Sequence, residues 1–99
     1  MFVMREVLVC KPGKVGELKK KFKALNAIVT KKDFPPFAIM TDVASENFWT
    51  LVLEMESDSV AAFFTMEEQV MADKEAQQVM AGYHDLVVGG RREVFRREM

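Results

Sequence analysis

The chain has 99 residues, 49% of them apolar, with 14 basic and 15 acidic side chains, one histidine and a formal net charge of −1. This length holds one domain, residues 1–99, and so high an apolar share with almost no net charge excludes a disordered chain. The charge balance excludes a general nucleic-acid binder, and no apolar run reaches the roughly 20 residues of a membrane span.

Residues 2–10 (FVMREVLVC) are rich in strand formers and stop at Lys11-Pro12-Gly13, which predicts a strand closed by a turn. Val3, Arg5, Val7 and Val9 share one side of it. Phe2, Met4, Glu6, Leu8 and Cys10 share the other. Both sides are mainly apolar, so the strand is expected to be covered on both faces. From Lys14 the period changes. Val15, Leu18, Phe22, Leu25 and Val29 recur at spacings of three and four, the core stripe of a helix ending near Thr30, before Pro35-Pro36. Phe37–Ala44 reads as a second strand, Ser45-Glu46-Asn47 as a short turn, and Phe48–Glu56 as a third strand that completes a hairpin. On the third strand Trp49, Leu51, Leu53 and Met55 share a face. Ser57-Asp58-Ser59 offers N-caps for a helix carrying Val60, Phe63, Phe64, Glu67, Val70 and Met71. Ala72-Asp73-Lys74 interrupts it. A further helical piece places Ala76, Val79, Met80, Tyr83 and Val87 on one stripe and ends at Gly89-Gly90. Residues 91–98 (RREVFRRE) form a last strand, polar enough for a sheet edge.

The order β-α-β-β-α-β with right-handed crossovers predicts an α+β, ferredoxin-like domain: a four-stranded antiparallel sheet with the first and third strands at its centre. Helices cover one face. The other, carrying Val, Leu, Trp and Met, is too apolar to be left to water, and its expected cover is a second copy of the chain. The predicted assembly is a homodimer packed sheet to sheet.

This layout resembles the dimeric α+β barrel superfamily over essentially the whole chain. The resemblance is carried by the opening strand with KPGK (Lys11–Lys14), the helix after it, the hairpin leading to FWTLVLEMES (Phe48–Ser57), the Phe-rich helix, the piece near Ala76 and the final strand. In look it is nearest to small antibiotic-biosynthesis-monooxygenase-like and stress-responsive barrel proteins. The resemblance implies a pocket between sheet and helices and a dimer through the sheets. It does not settle the chemistry, because the superfamily also holds haem-degrading oxygenases and lactone isomerases. The haem-degrading branch uses an Asn, a Trp and a His. Here Arg5 and Glu6 stand on the first strand where that Asn is expected. The only tryptophan, Trp49, lies on the third strand instead of the second helix, and only His84 falls near its expected place. Haem is therefore disfavoured, and no cofactor is expected.

Individual residues support candidate roles beside plainer ones. His84 is the only side chain whose ordinary pKa lies near neutrality, so it is the candidate general base; the plainer reading is a histidine at the core's edge. Arg92 is the candidate for stabilising developing negative charge, against a simpler task as an edge-strand gatekeeper with Arg91, Arg96 and Arg97. Tyr83 and Trp49 are candidates to shape a pocket, or else core and interface anchors. Arg5 and Glu6 are adjacent on a central strand and face opposite ways. Each needs a partner, with Glu54, Arg92 and Glu93 within reach, or else they form the charged wall of a cavity for a polar or anionic ligand. Met66 and Met80, with Met71, suit an adaptable pocket for an apolar ligand, or simple core filling. Cys10 reads as buried packing. One His and one Cys make no metal site. Residues 11–32 hold eight Lys and one Glu, whereas residues 42–75 hold nine acids and one Lys. On this fold both helices lie on the same sheet face, so the two patches are expected to neutralise one another in part, with subunit-to-subunit steering as the other reading.

The function expected from these residues is binding of a small hydrophobic or aromatic molecule, with cofactor-independent oxygenation or isomerisation as the chemistry. The alternative is a non-catalytic ligand-binding or stress-associated protein. Neither nucleic acid nor membrane is an expected partner.

Overall fold

Alternation of β-branched and long apolar side chains makes Phe2–Cys10 a nine-residue strand, β1, in a computed structural model that describes residues 1–99. Gly13, with φ of +77°, turns the chain into α1 (Val15–Lys31). This helix buries Leu18, Phe22, Leu25, Ile28 and Val29, the predicted stripe with Ile28 added and Val15 only partly buried. β2 (Ala38–Thr41) and β3 (Thr50–Ser57) follow, then α2 (Val60–Met71), α3 (Lys74–Met80), a 3-10 turn (Tyr83–Leu86) and β4 (Val87–Arg96). The strand order is β2-β3-β1-β4, with every neighbouring pair antiparallel. β1 and β3 are central, as the crossover argument requires. The fold is α+β and ferredoxin-like.

Strand parity divides the sheet into two different faces. Met4, Leu8 and Cys10 of β1 and Leu51 of β3 join buried residues from all three helices in one core. Glu6, Leu53, Met55 and Arg92 share this face through the register Glu6↔Leu53, Glu6↔Arg92 and Met4↔Met55. Val3, Arg5, Val7, Val9, Val52 and Phe95 lie on the opposite face, which no element of the chain covers. The leucines and Met55 of the third strand therefore belong to the core. The uncovered face carries the expected valines and a methionine, Met40, with Phe95 between ion pairs; the Leu and Trp expected there lie elsewhere.

Three boundaries differ from those read in the sequence. The second helical piece stops at Met80, because Ala81 leaves the helical region and Gly82 adopts φ of +82°. Val87, Gly89 and Gly90 then belong to β4 and pair with Cys10, Val9 and Leu8. Glycine suits this strand because a Cβ at Gly90 would stand 2.7 Å from the Val7 carbonyl oxygen. The hairpin connection spans residues 42–49 and shortens both flanking strands. Its Asp42 side chain accepts a hydrogen bond from the Thr50 amide at 2.8 Å, occupying the place of a ladder partner.

The basic and acidic stretches meet, as expected. Lys32 pairs with Asp73 at 3.0 Å and Lys31 with Glu75 at 3.9 Å. Lys21 donates to the carbonyls of Val79 and Ala81 at the end of α3, satisfying oxygens that a helix terminus leaves open.

Candidate functional site

The core is not filled. A cavity of about 350 Å³ lies between the helices and the sheet, with 14 of its 19 lining residues hydrophobic. Its floor is β1 and β3. Its walls include Phe22, Leu25 and Val29 from α1, and Phe63, Met66 and Val70 from α2. Met80 and Tyr83 close it from the chain beyond α2. A volume of this size with a few polar groups falls in the range of small-molecule sites.

One wall is held by an asparagine that sequence reasoning passed over. The Asn26 side chain donates to the Phe37 carbonyl at 2.9 Å and accepts from the Phe37 amide at 3.0 Å. It acts as a one-residue strand partner for the segment that follows Pro35-Pro36. Phe37 is thereby set edge-on to Phe22, with ring centres 6.2 Å apart, and both rings line the cavity.

The polar border is a cluster from three elements. Arg92 of β4 donates through Nε to Glu6 Oε2 of β1 at 2.9 Å. Its two terminal nitrogens reach both oxygens of Glu67 of α2, at 3.3 and 2.6 Å. The forked contact matches a planar guanidinium to a planar carboxylate. The guanidinium also lies over the rings of Phe63 and Phe64, at 5.3 and 5.7 Å from their centres. Partial burial works against its charge, but the bonds to Glu67 and Glu6 outweigh this and hold its pKa above the ordinary arginine value. Each of the three side chains remains about a third exposed, so the cluster sits at the rim.

The candidates separate on this geometry. Glu6, Met66, Met80, Tyr83 and Arg92 line the cavity together. Arg5 borders it only from below. Its side chain turns to the uncovered face, bonds Glu54 at 2.7 Å and lies 5.6 Å from the Phe95 ring centre. His84 is a correction. It is exposed on the 3-10 turn, its ring 4.0 Å from that of Tyr83, and does not line the cavity. The cause is the early end of α3, which removes the helical register that would have carried His84 along the apolar stripe. Trp49 is a second correction. It precedes β3 with φ of +59°, is half-exposed, and lines a shallow groove with Val15, Lys19 and Phe48. Cys10 is buried, and burial followed by the charge of Asp42 pushes its thiol pKa up, away from nucleophilic reactivity.

Glu67 at the rim and Asn26 behind the wall are the residues of the candidate site that sequence reasoning missed. A signal for Glu67 existed. It interrupts the apolar stripe of α2, and a carboxylate on a core stripe calls for a cationic partner.

No known protein-family profile matches the chain. No curated protein matches it either. Solved structures do. An uncharacterised NIPSNAP domain protein from Burkholderia xenovorans superposes with a TM-score of 0.82 at 16% identity, covering 98% of this chain and 94% of that one. A NIPSNAP family protein of unknown function from Agrobacterium tumefaciens gives 0.82 at 13% identity, with coverage of 98% and 87%. A putative antibiotic biosynthesis monooxygenase from Nitrosomonas europaea gives 0.73 at 10% identity over the full length of both chains. At these identities the likeness is one of fold, and it agrees with the resemblance seen in the sequence.

Proposed function

We propose that this protein binds a small, largely apolar molecule in the cavity between its helices and its sheet, as one half of a homodimer joined through the uncovered sheet face. The cavity itself carries the reading: about 350 Å³ left open in the core of so small a chain, walled by apolar side chains and bordered on one side by charge. Met66, Met80 and Tyr83 are the proposed contacts for the body of the ligand, and Glu6, held in place by Arg92, for its polar end. Five of the eight methionines (Met4, Met55, Met66, Met71 and Met80) line the cavity, an adaptable surface for a molecule of irregular outline.

Oxygenation or isomerisation of the bound molecule without a cofactor is the second reading. Tyr83, Glu6 and Glu67 line the same space and carry groups able to move a proton. The name of the Nitrosomonas neighbour points the same way. Arg92 is less suited than it looked in the sequence to stabilising an oxyanion, because two carboxylates already occupy its donors. A cytoplasmic location goes with both readings, since the one cysteine is a buried free thiol.

Methyl-labelled methionine NMR tests the binding reading. A hydrophobic ligand is expected to shift the signals of Met4, Met55, Met66, Met71 and Met80 and leave those of Met1, Met40 and Met99 in place. Shifts confined to Met1, Met40 and Met99 overturn it. Oxygen uptake with a panel of quinols tests the catalytic reading, and a haem titration is expected to leave the absorbance of free haem unchanged.

A further inference from the structure

We infer that the cavity selects ligands whose polar end is a cationic or neutral hydrogen-bond donor, an amine before an alcohol, and discriminates against a carboxylate of the same size. This rests on the binding reading above and names the ligand class for that site.

The charged residues bordering the cavity are Arg5, Glu6, Glu54, Glu67 and Arg92. Arg5 and Glu54 neutralise each other at 2.7 Å, with their side chains on the far side of the sheet. The remaining three comprise two carboxylates and one guanidinium, leaving one negative charge at the rim. Hydrogen-bond capacity is unbalanced in the same sense. Two carboxylates offer about four acceptor sites each, against the five N–H groups of one guanidinium. Arg92 directs Nε to Glu6 and its terminal nitrogens to Glu67, and its flat face meets Phe63 and Phe64. It has little left to offer an incoming anion. Glu6 Oε2 takes the bond from Arg92, whereas Glu6 Oε1 has no protein donor. An ammonium or hydroxyl group finds unfilled acceptors here. A carboxylate meets two like charges and must displace one of them from Arg92. Tyr83 lines the same cavity, and a phenol hydroxyl donates or accepts equally, so the charge of the cluster decides.

The test uses three probes with one hydrocarbon body: 4-phenylbutylamine, 4-phenylbutanol and 4-phenylbutyrate. Each is titrated into the full chain at neutral pH and low salt, with the methionine methyl signals as readout. The amine is expected to bind about tenfold tighter than the carboxylate, with the alcohol between them. Glu67→Gln removes the excess charge and is expected to narrow that ratio. Glu6→Gln is its independent counterpart if the first variant does not fold. Equal or tighter binding of the carboxylate at the cavity methionines overturns the selectivity and leaves the binding site standing. A ratio unchanged in both folded variants overturns its assignment to the cluster. No shift of the cavity methionines with any probe overturns the binding reading, and the selectivity with it.

Discussion

Gly89 and Gly90 are neighbours in one strand and sit in opposite circumstances. A side chain at Gly90 would collide with the backbone of β1, which cannot yield, whereas nothing lies within 4 Å of a Cβ built at Gly89. Gly90→Ala is therefore expected to cost about 1–3 kcal/mol of stability, through strain in the pairing of β1 with β4. Gly89→Ala is expected to stay within about 0.5 kcal/mol of the parent, or to gain a little by restricting the unfolded chain. Urea denaturation of both variants checks the pair, and equal stabilities would refute the steric account. In the sequence these glycines read as a helix stop, because glycine punctuates helices and also permits close approach between strands, and one sequence does not distinguish the two. The ion pairs were more legible. Adjacent charges on a central strand demand partners on opposite faces, and Arg5 and Glu6 find Glu54 and Arg92, two of the three offered. Asn26 gave no such warning. A polar residue on a helix looks solvated until the segment it clamps is in place.

At the scale of elements, helix starts were easier to read than helix ends. Ser59 caps α2, its hydroxyl accepting from the Ala62 amide at 3.0 Å, and Asp73 caps α3 through the Ala76 amide at 3.1 Å. A cap is a local device of residue type and spacing, so Ser59 is legible within Ser57-Asp58-Ser59, whereas Asp73 reads in the sequence only as part of an interruption. The end of α3 depends on Gly82 turning left-handed and on Lys21 reaching across from α1, neither of which a periodic stripe reveals. Ser59→Ala is expected to destabilise the protein by about 1 kcal/mol, measurable as a lower denaturation midpoint at unchanged slope. Asp73 adds a pH dependence. The hydrogen bond from Lys32 comes first, and with the Ala76 amide it holds the Asp73 carboxyl below its ordinary 3.8. The unfolded chain then takes up the proton before the folded one does. The stabilisation is complete above the ordinary value and is lost as pH falls through the lower folded value. Asp73→Asn is expected to flatten the acid limb of a melting-temperature profile below about pH 4, relative to the parent, and to leave the slope above pH 5 unchanged.

For the whole molecule, the apolar share of the sequence exceeds what one covered face consumes. The face without helices carries the row Met40, Val52, Val7 across three strands, flanked by Val3, Val9 and Phe95. Met40 and Phe95 are each more than 40% exposed in the single chain. Arg5–Glu54 and Arg97–Glu56 are already paired within the chain, so a second copy can cover this face without stranding a charge. In the proposed dimer, a two-fold axis through this face would set Val52 near the centre of the contact. Val52 is only half-buried and packs against no helix, so a lysine there is tolerable to a monomer and disruptive to a dimer. Light scattering at micromolar concentration is expected to give about twice the chain mass of 11.3 kDa for the parent, and the single-chain mass for Val52→Lys with its circular dichroism intact. Lysine at Val94, on the opposite face and 42% exposed, is the control expected to keep the dimer. A parent that scatters as a monomer would remove the proposed assembly and leave the ligand cavity untouched, since that cavity lies between the helices and the covered face of the sheet.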